Sequence, residues 1–244
     1  MLYKIASDRL SFINYFGIEL DRILIFVNRA SEIEALRELN LHHFEFSIRN
    51  LKQGTVSHIF FFKNITLELI EIENRELATQ YSLQSSMDLI SRTQWHSNSA
   101  LPFGFVLHYA VSQESKSRRR CYQSRHNRRS QPLCEVNYSR ENFRKLQEPI
   151  CYIVPESLIA RNLLDNTSAI EQKLFGNRST MSKLTSIQIT IDPSISLSKT
   201  VSLVSALNLV HLKRGNCPHL ELKFGNNSQN RSTSFDSIPV TFYY

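Results

Sequence analysis

Two stretches far apart in the chain carry the same apolar pattern, Leu20-Asp-Arg-Ile-Leu-Ile-Phe-Val-Asn28 and Leu184-Thr-Ser-Ile-Gln-Ile-Thr-Ile-Asp192. Each is short, rich in β-branched residues and bounded by polar ones, which reads as a strand rather than a helix. Each is followed by a helical stripe. Behind the first, Ser31 stands three residues before Glu34, the spacing at which hydroxyl and carboxylate satisfy each other's end-of-helix amides. Ile33, Leu36 and Leu39 then recur at helical spacing, with Asn40 as a stop. Behind the second, Leu197, Val201, Val204 and Leu207 form a stripe between Ser196 and Asn208. A strand–helix unit that returns in the same order predicts an internal duplication, and it restricts the chain to an α+β fold made of two similar modules.

Further strands complete each module. Phe44–Ile48, Val56–Phe62 and Thr66–Ile72 follow the first helix, with a turn at Gln53-Gly54-Thr55 and another at Lys63-Asn64. Gly54 supplies positive φ where the turn needs it. Leu209–Lys213, His219–Phe224 and Pro239–Tyr244 follow the second helix, and Leu67-Glu-Leu69 is matched with Leu220-Glu-Leu222. The expected organisation is an N-terminal extension over 1–19 and a first βαβββ module over 20–75. A connecting segment over 76–183 follows, with a basic loop at 116–129, and a second βαβββ module occupies 184–244. Within the connecting segment, Leu101–Tyr109 and Pro149–Val154 read as strands, and Ser157–Phe175 can hold a short helix.

The net charge of +7 raises the question of nucleic acid. Its distribution answers most of it. Lys116, Arg118, Arg119, Arg120, Arg125, Arg128 and Arg129 carry no acid among them, and the remaining 22 basic residues equal the 22 acidic ones. The basic character therefore belongs to one segment and not to the fold. No run reaches the ~20 apolar residues of a membrane span, and no signal peptide is read near Leu10–Ile18, so a cytoplasmic location is expected. Cys121, Cys134, Cys151 and Cys217 lack paired zinc spacing and are expected as free thiols in a reducing compartment. The triplets at Asn64, Asn166 and Asn230 then read as polar turns.

Seven short segments carry a resemblance to a known family. They are Leu20-Asp-Arg-Ile-Leu-Ile25, Gln53-Gly-Thr55 leading into Ile59-Phe-Phe-Phe62, Leu67-Glu-Leu69, Pro102-Phe-Gly104, Val154-Pro-Glu-Ser-Leu158, Leu184-Thr-Ser-Ile187 and Ile238-Pro-Val-Thr-Phe-Tyr243. Together they resemble the vicinal oxygen chelate superfamily, in particular its bacterial glyoxalase-like proteins. The resemblance implies paired βαβββ units curled around a cleft. In metal-dependent members a divalent ion sits there, held by a side chain on each first strand and a carboxylate on each last strand, and acts as a Lewis acid. In this chain the carboxylates fall at Glu68 and Glu221, and the first-strand positions fall at Arg22 and Ser186. A guanidinium has five donors and no acceptor, so it cannot ligate a cation and repels one. A divalent metal is accordingly disfavoured and no cofactor is expected.

Arg22 can instead pair with Glu68 where the ion would sit, or meet a ligand carboxylate or phosphate, or point outward. The expected function is binding or converting a small organic molecule in the cleft. Glu68, Glu221, His58 and His108 are the candidate catalytic groups. Arg22, Ser186, Gln53, Gly54 and Thr55 are the candidate ligand contacts. A lone histidine on a strand is more often structural, so His58 and His108 are the weaker choices. His42 and His43 are adjacent and on a strand point to opposite faces, so they cannot chelate together. Two alternatives stand beside this reading: a non-catalytic sequestering protein on the same fold, and nucleic-acid association through 116–129, which would weaken steeply with salt.

Overall fold

A strand buried on both faces organises the molecule. In a computed structural model that describes residues 17–28, 30–39, 41, 43–109, 137–138, 140–154, 158–160, 181–225, 231–235 and 237–244, every residue from Asp21 to Val27 is buried. A run as continuously apolar as Ile23–Val27 suits such a position and no solvated edge. This strand, β1 (Ile18–Val27), leads through helix α1 (Ala30–Arg37) into β2 (Phe44–Asn50), β3 (Thr55–Phe61) and β4 (Thr66–Ile72). The three later strands form an antiparallel meander, and β4 returns parallel to β1 with Leu24 opposite Glu68. That is one complete βαβββ module. The basic segment 116–129 and the extension up to residue 16 lie outside the described residues.

Two helices follow, α2 (Arg75–Ser85) and α3 (Leu89–Thr93), before β5 (Phe103–Tyr109). Asn74 caps α2 by accepting from the Leu77 amide at 3.0 Å, and Asp88 caps α3 by accepting from the Ser91 amide at 2.9 Å. Neither helix was foreseen. Little of α2 is buried beyond Ala78, so no strong apolar stripe advertises it. Strand β5 lies antiparallel to β1 and parallel to β7 (Ile150–Val154); the short β6 (Asn137–Tyr138) pairs with β7, and helix α4 (Arg140–Arg144) lies between them in sequence. The large sheet thus runs β2-β3-β4-β1-β5-β7-β6. The stretch read as a connecting segment supplies three of its seven strands.

The C-terminal part forms a second sheet from β8 (Leu184–Ile191), β9 (His211–Arg214), β10 (His219–Phe224), β11 (Ser232–Ser234) and β12 (Val240–Tyr243), with helix α5 (Lys199–Ala206) joining β8 to β9. Its order, β9-β8-β10-β12-β11, repeats the central order β4-β1-β5-β7-β6 with the same alternation of parallel and antiparallel pairs. The fold is therefore α+β with paired modules, and β8 is the counterpart of β1. The second half of the expected match is corrected by this topology. Leu220-Glu-Leu222 lies on β10, whose counterpart is β5, so Glu221 is not the equivalent of Glu68. By register that place belongs to His211, opposite Gln188.

Both sheets share one core. Ile23, Ile25 and Val27 from β1 pack with Phe103 and Phe105 from β5, with Ile187, Ile189 and Ile191 from β8, and with α1 and α5 through Leu36 and Val204. The opposite face of the large sheet carries a second cluster of Leu24, Phe26, Ile70, Val106, Ile150 and Val154. A buried carboxylate ties the middle of the chain to α5. Glu148 accepts from the Ser198 amide at 2.6 Å and from Asn142 at 3.2 Å.

Cys151, on β7, is fully buried in the shared core. Burial pushes its thiol above the usual range, with Arg92 opposing and Glu148 adding. The folded protein therefore keeps this proton at pH values where the unfolded chain, with a thiol pKa near ~8.5, has released it. Stability is present below pH ~8.5 and is lost as pH rises, by up to about 1.4 kcal/mol per unit. The opposing group, Arg92, is lowered to about 10 and acts only from there upward. Urea unfolding between pH 8 and 10 is expected to show this decline in the wild type and a flatter profile in Cys151→Ala.

Candidate functional site

The site begins with an irregularity in β1. Leu20 pairs with Leu107 and Arg22 with Val106, so Asp21 has no partner across β5 and forms a β-bulge. Neighbouring residues on a regular strand point to opposite faces; a bulge re-aims one of them. Here it brings Asp21 and Arg22 together, and Arg22 Nε donates to Asp21 Oδ2 at 2.8 Å. The same guanidinium donates through Nη1 to Glu68 Oε2 at 3.1 Å and through Nη2 to the Leu158 carbonyl at 2.6 Å. Asp21 in turn accepts the Ala160 amide at 3.0 Å. Arg22 and Asp21 thus fasten residues 158–160 over the strand, and Glu68 holds the guanidinium from its other side. Burial opposes the charge on Arg22, but Glu68 and Asp21 outweigh it and raise its pKa above the usual value.

Beside this triad lies a cavity of about 420 Å³ on the large sheet's second face. Its apolar wall comes from Leu24, Phe26, Ile70, Leu89, Phe143 and Val154, and its polar positions include Arg22, Glu68, Gln53, Tyr81 and Tyr152. Gln53 donates to the Tyr81 hydroxyl at 3.3 Å. The Tyr152 ring meets Phe143 edge-on at 6.2 Å. Burial, with Glu68 adding and Arg22 opposing, holds the Tyr152 phenol above its usual range, so at neutral pH it is an O–H donor. Tyr152, Tyr81 and the α2–α3 corner are functional candidates that the sequence reading missed. Phe143 and Tyr152 come from a region with no motif; the pairing of β7 with β5 brings Tyr152 to the site, and α4 sets Phe143 against it.

The expected residues divide between places. Arg22, Glu68 and Gln53 line the cavity. Gly54 and Thr55 do not; Thr55 is buried and donates to Gln53 at 3.4 Å, and Gly54 packs against α2. His58 is opposite Leu69 and not on the Glu68 face, with Nδ1 2.9 Å from the Ser47 hydroxyl and Nε2 3.7 Å from Glu71. Its side chain belongs to the other side of the sheet. His108 shares the cavity's side by alternation from Val106 but lies beyond its lining, 3.5 Å from Glu19. Ser186 and Glu221 are on the small sheet, where Glu221 accepts from Gln188 at 2.9 Å. They do not meet Arg22 and Glu68, because β1 takes β5 as its antiparallel neighbour and β8 takes β10.

Chemically, the triad is a poor metal site. Arg22 has no lone pair to give, and both carboxylates already bond to it. Among the described residues, no three of His, Cys, Asp and Glu gather closely enough to hold an ion. No helix among them is long and apolar enough to cross a membrane.

No protein-family model matches the chain, and no curated protein matches its sequence. Solved structures do. A hypothetical protein from Staphylococcus aureus is similar over 92% of this chain and 98% of its own, at 13% identity and a TM-score of 0.52. Methylmalonyl-CoA epimerase from Mycobacterium tuberculosis aligns over 55% of this chain and 85% of its own, at 11% identity and a TM-score of 0.30. A mutant 4-hydroxymandelate synthase from Streptomyces coelicolor aligns over 92% of this chain and 61% of its own, at 10% identity and a TM-score of 0.39. The likeness to the staphylococcal protein, over nearly the whole of both chains, is one of fold.

Proposed function

We propose that this protein is a glyoxalase-like member of the vicinal oxygen chelate superfamily that takes a small, largely apolar organic molecule into the cavity beside Arg22, without a divalent metal. The observation that supports the reading is the Asp21–Arg22–Glu68 triad: a guanidinium pairs with the carboxylate at the positions where the resemblance would put a metal ligand on the first and last strands. The cavity keeps its polar end ordered by this ion pair and by the Leu158 carbonyl. Its size and mixed lining suit a small-molecule pocket, mostly apolar with a few convergent polar groups. Glu68 and Tyr152 present an acceptor and a donor to a ligand, which suffices for binding and orientation.

The test combines two measurements on purified protein. Elemental analysis is expected to find no stoichiometric tightly held Ni, Zn, Fe or Mn. The uncharged fluorophore phenylnaphthylamine is expected to bind saturably, one per chain, and Leu24→Trp, which fills the cavity, is expected to abolish that signal. One metal per chain, or fluorescence unaffected by Leu24→Trp, would sink the reading.

A further inference from the structure

We infer that the cavity selects a monocationic organic amine, primary or quaternary, with an apolar body, and excludes anions; this rests on the cavity being a ligand site as proposed above. Three independent features converge on it. The first is charge. Asp21 and Glu68 face one guanidinium, and both side chains are nearly buried, at 2% and 11% exposure, so among the described residues the polar end holds one negative charge in excess. A buried charge without a partner is unfavourable, and a bound cation supplies that partner. Among the described residues, the neighbouring ionised groups do not compensate it. Arg92 lies near Asp88 and Glu148, and Glu148 also has Lys145 at 3.5 Å, so that second set balances within itself.

The second feature is aromatic. Phe26, Tyr81, Phe143 and Tyr152 all contribute to the cavity wall. Aromatic faces attract cations through their quadrupole, most strongly where water is excluded. Phe26 already does so, with the Arg92 guanidinium 6.0 Å from its ring centroid. Aromatic walls joined to a carboxylate are the chemistry that recognises alkylammonium groups, since the rings accept the methyl-covered charge and the carboxylate neutralises it.

The third is a helix end. Tyr81 and Ser85, in the last turn of α2, and Met87 just beyond it line the cavity. The C-terminus of an eleven-residue helix carries the negative end of its dipole, and this one has no basic residue in its last turn. A ligand carboxylate or phosphate would meet that end, two carboxylates and a guanidinium that already gives three of its five N–H donors to the protein. The option of Arg22 as an anion clamp is therefore set aside.

The experiment is competition against bound phenylnaphthylamine by three compounds of similar shape: benzyltrimethylammonium, its uncharged carbon isostere neopentylbenzene, and phenylmethanesulfonate. The cation is expected to displace the fluorophore at least tenfold more tightly than the isostere, which corresponds to about 1.4 kcal/mol, and the sulfonate not at all. Glu68→Gln is expected to erase the preference, read as the ratio of the cation's to the isostere's displacement constant within that variant. Phe143→Leu is expected to weaken the cation more than the isostere, and it keeps the test available if the Glu68 variant folds poorly. Equal displacement by cation and sulfonate, or a preference unchanged in both variants, overturns the inference and leaves the small-molecule reading standing. Failure of the fluorophore to bind the wild type overturns both.

Discussion

Arg22→Met is expected to lower the free energy of unfolding by about 3–5 kcal/mol, measured by equilibrium urea denaturation. The reason is what the substitution leaves behind. Asp21 and Glu68 would stay in place with the guanidinium gone, and the Leu158 carbonyl would lose its 2.6 Å donor. Removing one partner of a buried ion pair costs more than the pair itself contributes, because the remaining charge keeps its desolvation penalty. The double variant Arg22→Met with Glu68→Gln is accordingly expected to recover at least about 1 kcal/mol of that loss, a non-additivity that marks direct contact. A loss below about 1 kcal/mol for Arg22→Met would mean that the side chain stands in solvent. The triad would then be no anchor for the cavity.

Gly54→Ala is expected to destabilise by roughly 2–3 kcal/mol, through strain at a position where no other residue fits. Gly54 has φ +66°, a conformation that L side chains rarely adopt. A Cβ there would stand 2.3 Å from the Asn74 carbonyl oxygen and 2.8 Å from the Ala78 nitrogen, both backbone atoms that cannot swing aside. The Gly54 carbonyl also accepts the Glu73 and Asn74 amides at 3.0 and 2.9 Å, so this residue docks the start of α2 against the β2–β3 turn. Thermal or urea unfolding reads the loss directly. Gln53→Ala, by contrast, is expected to change stability by less than about 1 kcal/mol and to alter phenylnaphthylamine affinity, because Gln53 faces the cavity and Gly54 faces the helix. Equal stability losses for the two would contradict this division of labour within one turn.

Alternation and helical spacing carried much of the architecture without the structure. The strand at Leu184–Ile191 is one that period-2 patterning marks, because a buried face imposes the alternation on Ile187, Ile189 and Ile191 themselves. The kinship of β1 with β8 was legible for the same reason. Arg22 beside Glu68 was foreseen as one option because the family resemblance put both at one site, where a guanidinium and a carboxylate form a hydrogen-bonded pair. Which strand neighbours which was not legible. Pairing partners are chosen by contacts between residues distant in sequence, and Glu221 therefore seemed to be the partner of Glu68 while it sits on a strand of a different role. The bulge at Asp21 was equally invisible, because it depends on the register of β5 and leaves no mark in a local pattern. What the amino acids determined by themselves was the main strands and the α1 and α5 helices of the two modules, together with the kinship of β1 and β8. What the tertiary structure alone decided was where β7 and the α2–α3 corner close over the Arg22–Glu68 pair, since the gathering of Tyr152, Phe143 and Met87 around a common space is a property of packing and of no single segment.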